Sequence, residues 1–128
     1  VNTQAQAKRP DRKLYTLTNA GHQALKDWLT VSVQPPQLRD DLLVKLYAGR
    51  WTEPETLIKE LKAHQAQRQQ KLAIYQEIAR QDFSAATLPY AEACIKLTLD
   101  YGITYEQAWL QWCDQALAKL SEFSDSPP

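Results

Sequence analysis

Thr104-Tyr105-Glu106-Gln107-Ala108-Trp109-Leu110-Gln111-Trp112-Cys113-Asp114-Gln115-Ala116-Leu117-Ala118-Lys119-Leu120 carries the most regular pattern in the chain. Tyr105, Ala108, Trp109, Trp112, Cys113, Ala116, Leu117 and Leu120 recur at intervals of three and four, which lines one face of an α-helix. Thr104-Tyr105-Glu106-Gln107 has the form of a capping box, so this helix is predicted to open at Thr104. Gly102 is then the left-handed residue that closes the helix before it.

That preceding helix is predicted over residues 85–101, with Pro89 in its first turn, where the missing amide hydrogen is harmless. Leu88, Ala91, Ile95 and Leu99 fall on one side and Tyr90, Cys94, Leu97 and Tyr101 on another. Two apolar faces require burial on two sides. Further back, Thr52-Glu53-Pro54-Glu55 reads as another capping box opening a long helix, Glu53 to Arg80. Its ends are apolar, with Leu57, Ile58 and Leu61, then Leu72, Ile74, Tyr75 and Ile78, while Lys62 to Lys71 offers only Ala63 and Ala66. Such a helix packs at both ends, and its centre crosses solvent or a polar helix. Leu38, Leu42, Leu43, Leu46 and Tyr47 form a short amphipathic helix stopped near Gly49, with Asp40 and Asp41 answering the dipole at its start.

Only residues 1 to 17 have strand-like sequence. Lys13-Leu14-Tyr15-Thr16-Leu17 alternates β-formers after a polar, turn-prone stretch, which predicts a β-hairpin whose first strand is mostly cut away. From Thr18, a capping residue, Ala20, Leu25, Trp28 and Leu29 take helical spacing, and Pro35 and Pro36 lie in the linker beyond. The fold class is therefore all-α: a bundle of about five helices with a hairpin remnant, divided into residues 1–30 and a helical domain, 31–128.

The 128 residues balance 15 Lys and Arg against 15 Asp and Glu, with three Gly, two Cys and no Met. This size buries a core without disulfides or a structural metal. No apolar run approaches the ~18 residues that cross a bilayer, and no signal-peptide core opens the chain, so the expected address is the cytoplasm, without membrane contact. The absent Met and strand-like start suggest a fragment. The neutral total conceals a split: Lys8, Arg9, Arg12, Lys13 and Lys26 against Asp11 and Asp27 give residues 1–30 a charge of +3, leaving −3 for the rest. Nucleic-acid contact therefore belongs to the first thirty residues, if they are not an ordinary solvated loop.

Catalytic motifs are absent: no phosphate-cradling glycine loop, no nucleophile elbow, no His-Glu-x-x-His. His22 and His64 lie on different helices without a partner at ligand spacing and read as surface residues. Cys94 and Cys113 sit in apolar helical positions without metal-ligand spacing and read as buried, structural thiols. No catalytic residue, metal or cofactor is assigned.

Arg9-Pro10-Asp11-Arg12-Lys13-Leu14-Tyr15-Thr16-Leu17-Thr18-Asn19-Ala20-Gly21-His22-Gln23-Ala24-Leu25 resembles the wing and following helix of winged-helix transcription regulators, with a pattern shared by the PadR and MarR families. Leu38-Arg39-Asp40-Asp41-Leu42-Leu43-Val44-Lys45-Leu46-Tyr47-Ala48-Gly49 and Tyr101-Gly102-Ile103-Thr104-Tyr105-Glu106-Gln107-Ala108-Trp109-Leu110-Gln111-Trp112 are similar to the PadR subfamily with a long, virulence-activator-type C-terminal domain. The resemblance implies that most of the winged helix, including its recognition helix, precedes Val1.

It further implies that Lys8, Arg9, Arg12 and Lys13 are wing positions touching DNA phosphate or the minor groove, and that the full-length parent binds DNA. Homodimerisation through the C-terminal domain is expected, with Tyr105, Trp109, Trp112, Ala116 and Leu120 as the candidate stripe; these side chains could equally fill the monomer core. A small hydrophobic or phenolic effector is a further implication, with Trp28, Tyr47, Trp51, Trp109 and Trp112 available to line a flat pocket or to serve as core. The other functional class open to this sequence is a self-contained helical adaptor that binds protein partners and has no DNA role.

Overall fold

The computed structural model describes residues 2–6, 9–14 and 16–124, with side chains from residue 16 onward. The chain divides into two compact units, one up to Arg39 and the other from Asp40. Residues 31–39, which the sequence groups with the helical domain, fall in the first unit.

The first unit holds β1 (Asn2–Gln6), β2 (Arg9–Leu14) and α1 (Asn19–Leu29). The strands pair antiparallel, Asn2 opposite Leu14, Thr3 opposite Lys13 and Gln4 opposite Arg12, with an irregularity before Gln6 meets Arg9. The second strand therefore ends at Leu14 and does not continue over Thr16 and Leu17, which have no regular structure. Thr18 caps α1, its hydroxyl accepting from the Gly21 amide at 3.0 Å. Within that helix Leu25, Trp28 and Leu29 are exposed.

The second unit contains α2 (Asp41–Tyr47), a 3₁₀ turn (Gly49–Trp51), α3 (Pro54–Asp82) and α4 (Tyr90–Ser121). Asp40 caps α2 by accepting from the Leu42 amide at 3.0 Å, satisfying one of the orphan donors that open any helix. Pro54 starts α3, but Thr52 is not its cap. Glu53 occupies that position without a side-chain bond, because Thr52 is taken into the 3₁₀ turn, its amide donating to the Gly49 carbonyl at 3.0 Å.

The expected break at Gly102 does not form. Residues 90–121 make one continuous helix, so the described residues hold four α-helices where five were expected. Gly102 keeps an ordinary helical backbone; no described glycine has positive φ. Its role is steric: a β-carbon here would lie 2.9 Å from Tyr75 Cε2. Mid-helix glycine costs about 1 kcal/mol relative to alanine, and the close seating of the Tyr75 ring of α3 against α4 offsets it. Thr104-Tyr105-Glu106-Gln107 is therefore helix interior and not a cap.

α3 and α4 pack along their length, and α2 closes one end. Leu42, Leu61 and Cys113 are the buried centre, with Leu46, Trp109, Trp112, Ala116, Leu117 and Leu120 packed around it. Cys113 donates to the Leu61 carbonyl at 3.8 Å. Cys94 departs from expectation: it is exposed, on a face of its helix where Tyr90, Leu97 and Tyr101 are exposed too.

Candidate functional site

The row Leu99, Gly102, Glu106, Trp109, Cys113 and Ala116 runs along the side of α4 that meets α3, and one member is a carboxylate. Glu106 is only 2% exposed. A buried charge is tolerated where it is paired, and Arg68 provides the partner: Nη1 donates to Oε1 at 2.9 Å and to Oε2 at 3.2 Å. Lys71 Nζ stands 3.9 Å from Oε1. The Arg68 guanidinium also lies over two rings, 5.0 Å from the centroid of Trp109 and 5.4 Å from that of Tyr105. Trp109 meets Trp112 edge-on at 5.6 Å and lies 6.4 Å from the His64 ring. His64 Nε2 is 3.5 Å from Glu60 Oε1, and Lys45 Nζ reaches the same oxygen at 3.2 Å, holding the Glu60 carboxyl below its usual range.

The polar centre of α3 is thus not solvated on every side. It meets α4 through Arg68 and through Gln65, whose amide donates to Asp114 Oδ1 at 2.9 Å. Sequence reasoning missed Arg68 and Lys71 and read Glu106 as a capping residue. The signal was Glu106 itself, one acidic residue inside an otherwise apolar row of α4 and facing the stretch of α3 whose only apolar side chains are Ala63 and Ala66.

Of the five residues assigned to pairing, Trp109, Trp112, Ala116 and Leu120 pack partly buried against the chain's own core, whereas Tyr105 is 40% exposed. The opposite side of α4 is bare: Tyr90, Leu97 and Tyr101 are exposed by 86%, 68% and 71%, and Cys94 lies among them. Tyr101 and Tyr105 stack with centroids 6.3 Å apart. The five aromatics offered as an effector pocket do not form one cluster within the second unit: Trp109 and Trp112 join the core, while Tyr47 and Trp51 are exposed. Trp28 belongs to the first unit, where it is exposed. Among the wing residues, Arg9, Arg12 and Lys13 lie on β2, and Lys8 lies outside the described residues.

Residues 38–121, the α2–α3–α4 unit with its approach, match the family described as virulence activator alpha C-term. The chain belongs to this family, a branch of the PadR-type transcription regulators. The Vibrio cholerae virulence activator AphA is similar to this virulence-activator-type chain at 28% identity, with a TM-score of 0.76 over 95% of this chain and 70% of AphA. A Mycobacterium tuberculosis protein named "probable transcriptional regulator Rv1176c" is 28% identical over 133 residues, 95% of this chain and 70% of that protein. Bacillus subtilis PadR, solved in complex with operator DNA, shares the fold at 23% identity, with a TM-score of 0.68 over 93% of this chain and 68% of that one. No helix among the described residues of this virulence-activator-type chain is long and apolar enough to cross a membrane.

Proposed function

We propose that this chain is the dimerisation part of a DNA-binding transcription regulator and that it pairs with its own copy through the bare face of α4. One observation carries the reading: three large side chains, Tyr90, Leu97 and Tyr101, are more than half exposed in one row on an ordered helix. A contiguous apolar patch of this kind marks an interaction surface, and a two-fold pair is the commonest way to cover one. The row suits an antiparallel copy of itself. Tyr90, Cys94, Leu97 and Tyr101 are spaced four, three and four, so reversal leaves the pattern unchanged, with Tyr90 opposite the partner's Tyr101 and Cys94 opposite the partner's Leu97. The flanking positions Ala91, Ala93 and Thr98 are small, which favours close approach of two helices.

Tyr105 borders this face and belongs to the proposed interface. Trp109, Trp112, Ala116 and Leu120 stand behind it and hold α4 in place through the core. Family membership favours this reading over a free-standing adaptor. Lys8, Arg9, Arg12 and Lys13 are proposed to contact DNA phosphate from each copy of the hairpin, as befits a relative of proteins that include a PadR solved on operator DNA. The test is sedimentation equilibrium of the chain and of Leu97→Lys. Twice the monomer mass is expected for the first, and the second should lose at least about 2 kcal/mol of association, as truncation of a central interface residue does. A strictly monomeric chain would refute the proposal.

A further inference from the structure

Between α3 and α4, on the other side of Tyr75 from the Arg68–Glu106 pair, lies an open groove of about 290 Å³. Its walls are Tyr75, Ile78 and Phe83 from the α3 side and Ile95, Leu99 and Gly102 from α4, with Thr98 the remaining contributor. The Thr98 hydroxyl is already engaged, donating to the Ile95 carbonyl at 2.6 Å. Apart from the Tyr75 hydroxyl, the lining therefore suits hydrocarbon. Its volume lies near the lower end of the ~300–1,000 Å³ usual for small-molecule sites. Phe83, the residue that ends α3, stands toward one end.

The other end is charged. One helical turn beyond Tyr75 on α3 is Lys71, and one turn beyond Gly102 on α4 is Glu106. Lys71 Nζ lies 6.0 Å from the Tyr75 ring centroid and 3.9 Å from Glu106 Oε1. Because Arg68 already satisfies both oxygens of that carboxylate, Arg68, Lys71 and Glu106 together keep one net positive charge. Lys71, half exposed, is the member able to turn toward a new anion. An apolar slot with an ammonium group one turn past its wall is complementary to an amphiphile with an acidic head and a hydrocarbon body.

We infer that the Tyr75–Gly102 groove binds a medium-chain aliphatic carboxylic acid, its chain lying along Ile78, Ile95 and Leu99 and its carboxylate met by Lys71. Gly102 is what allows the Tyr75 wall to stand against α4, since any β-carbon there would collide with the ring. The site borders the proposed pairing face at Thr98, but its lining and its charge do not depend on pairing. Ile95 and Thr98 nevertheless flank Cys94 and Leu97 in sequence, so a bound chain would sit beside that face.

The test is displacement of N-phenyl-1-naphthylamine from the whole chain by dodecanoate, decanoate and dodecanol, each below the concentration at which it aggregates. Dodecanoate should bind once per chain, and about fivefold more tightly than dodecanol, the worth of one partly exposed charge contact. Decanoate should bind roughly fifteenfold more weakly than dodecanoate, since each of the two lost methylenes weakens binding by about fourfold. Lys71→Met should remove the preference for acid over alcohol. Thr98→Phe and Ile95→Trp, both chosen to fill the groove from its rim and checked for unchanged helicity, should abolish binding of both ligands.

Equal affinity for acid and alcohol in the native chain would overturn the assignment, as would displacement that survives both groove-filling changes. So would failure of every ligand to bind. If no ligand binds and Ile95→Trp instead alters the association of the ligand-free chain, the groove is a surface for a second copy and the inference fails, while the dimer reading stands.

Discussion

Arg68 Nη1 bridges both oxygens of Glu106, at 2.9 and 3.2 Å, beneath the rings of Trp109 and Tyr105. This is the buried polar contact of the helix pair, whose bond from Gln65 to Asp114 is exposed. Removing one partner leaves a buried charge that Lys71, 3.9 Å away, offsets in part. Arg68→Ala should therefore lower stability by about 3 kcal/mol, at the lower end of the range for breaking a buried pair. Replacing both partners, Arg68→Met with Glu106→Leu, should recover most of that loss, because neither charge is then stranded. Urea denaturation of Arg68→Ala and of the double variant checks this; a double variant no more stable than Arg68→Ala would contradict it.

Gly102 and Tyr75 form the second close fit. Alanine at 102 gains about 1 kcal/mol of helix propensity but must displace a ring whose Cε2 is 2.9 Å from the new β-carbon, and overpacking of this kind costs ~1–3 kcal/mol. Gly102→Ala should therefore be neutral to destabilising by up to about 2 kcal/mol in thermal or urea unfolding. Adding Tyr75→Leu should make the same alanine stabilising. A stabilising Gly102→Ala in the presence of Tyr75 would show that the ring gives way freely.

The two thiols should behave differently. Cys94 is exposed in the single chain and Cys113 is buried beneath the Leu61 carbonyl, so a maleimide should modify Cys94 in the folded chain, more slowly as rising concentration pairs the copies, and Cys113 only on unfolding. Burial, with a smaller contribution from Asp114, also pushes the Cys113 thiol above its ordinary value of 9.0. A raised folded-state value means that its contribution to stability is present below the ordinary thiol value and lost as pH rises through the higher folded one. Stability should accordingly fall above about pH 9 by an increment that Cys113→Ala removes, at the expense of a small cavity. Urea unfolding at neutral and alkaline pH measures it.

How far the fold can be read from sequence is shown by α3 and α4. The approximate ends of α3 and the cap of α1 at Thr18 were legible, and Asp40 and Asp41 were placed at the start of α2 as partners of its dipole, because helix-end chemistry and apolar periodicity are local; the capping box read at Thr52 did not form. The continuity of α4 was not. Gly102 followed by Thr104-Tyr105-Glu106-Gln107 carries every local mark of a stop and a start, and only the Tyr75 ring on a distant turn of α3 gives the glycine its other reason. Glu106 was misread for the same cause, since its partner Arg68 is thirty-eight positions away. The apolar row of α4 was visible throughout; which of its two faces meets α3 depended on where the second helix lay.

DNA contact should be weak and indifferent to sequence. On the proposed reading Lys8, Arg9, Arg12 and Lys13 meet phosphate, and such contacts position a protein on a duplex and carry no base information. Fluorescence titration with two unrelated duplexes should give equal affinities, Kd of order 10⁻⁴ M or weaker at physiological salt, that fall as salt rises. Arg9→Ala and Arg12→Ala should each weaken binding and shallow the salt dependence. Strong discrimination between duplexes would place a base-reading element within this chain.

Pairing through α4 is the central claim, and crosslinking at Cys94 tests it most directly. In the antiparallel arrangement Cys94 and Leu97 straddle the two-fold axis, which brings the two copies of Cys94 close together across a narrow helix pair whose axes are ~8–10 Å apart. A short bis-maleimide should therefore convert the native chain to a covalent dimer through Cys94, with Cys113 untouched, and Leu97→Lys should suppress the product at the same protein concentration. A chain that is modified at Cys94 yet stays monomeric at concentrations where it sediments as a dimer would show that the copies meet elsewhere.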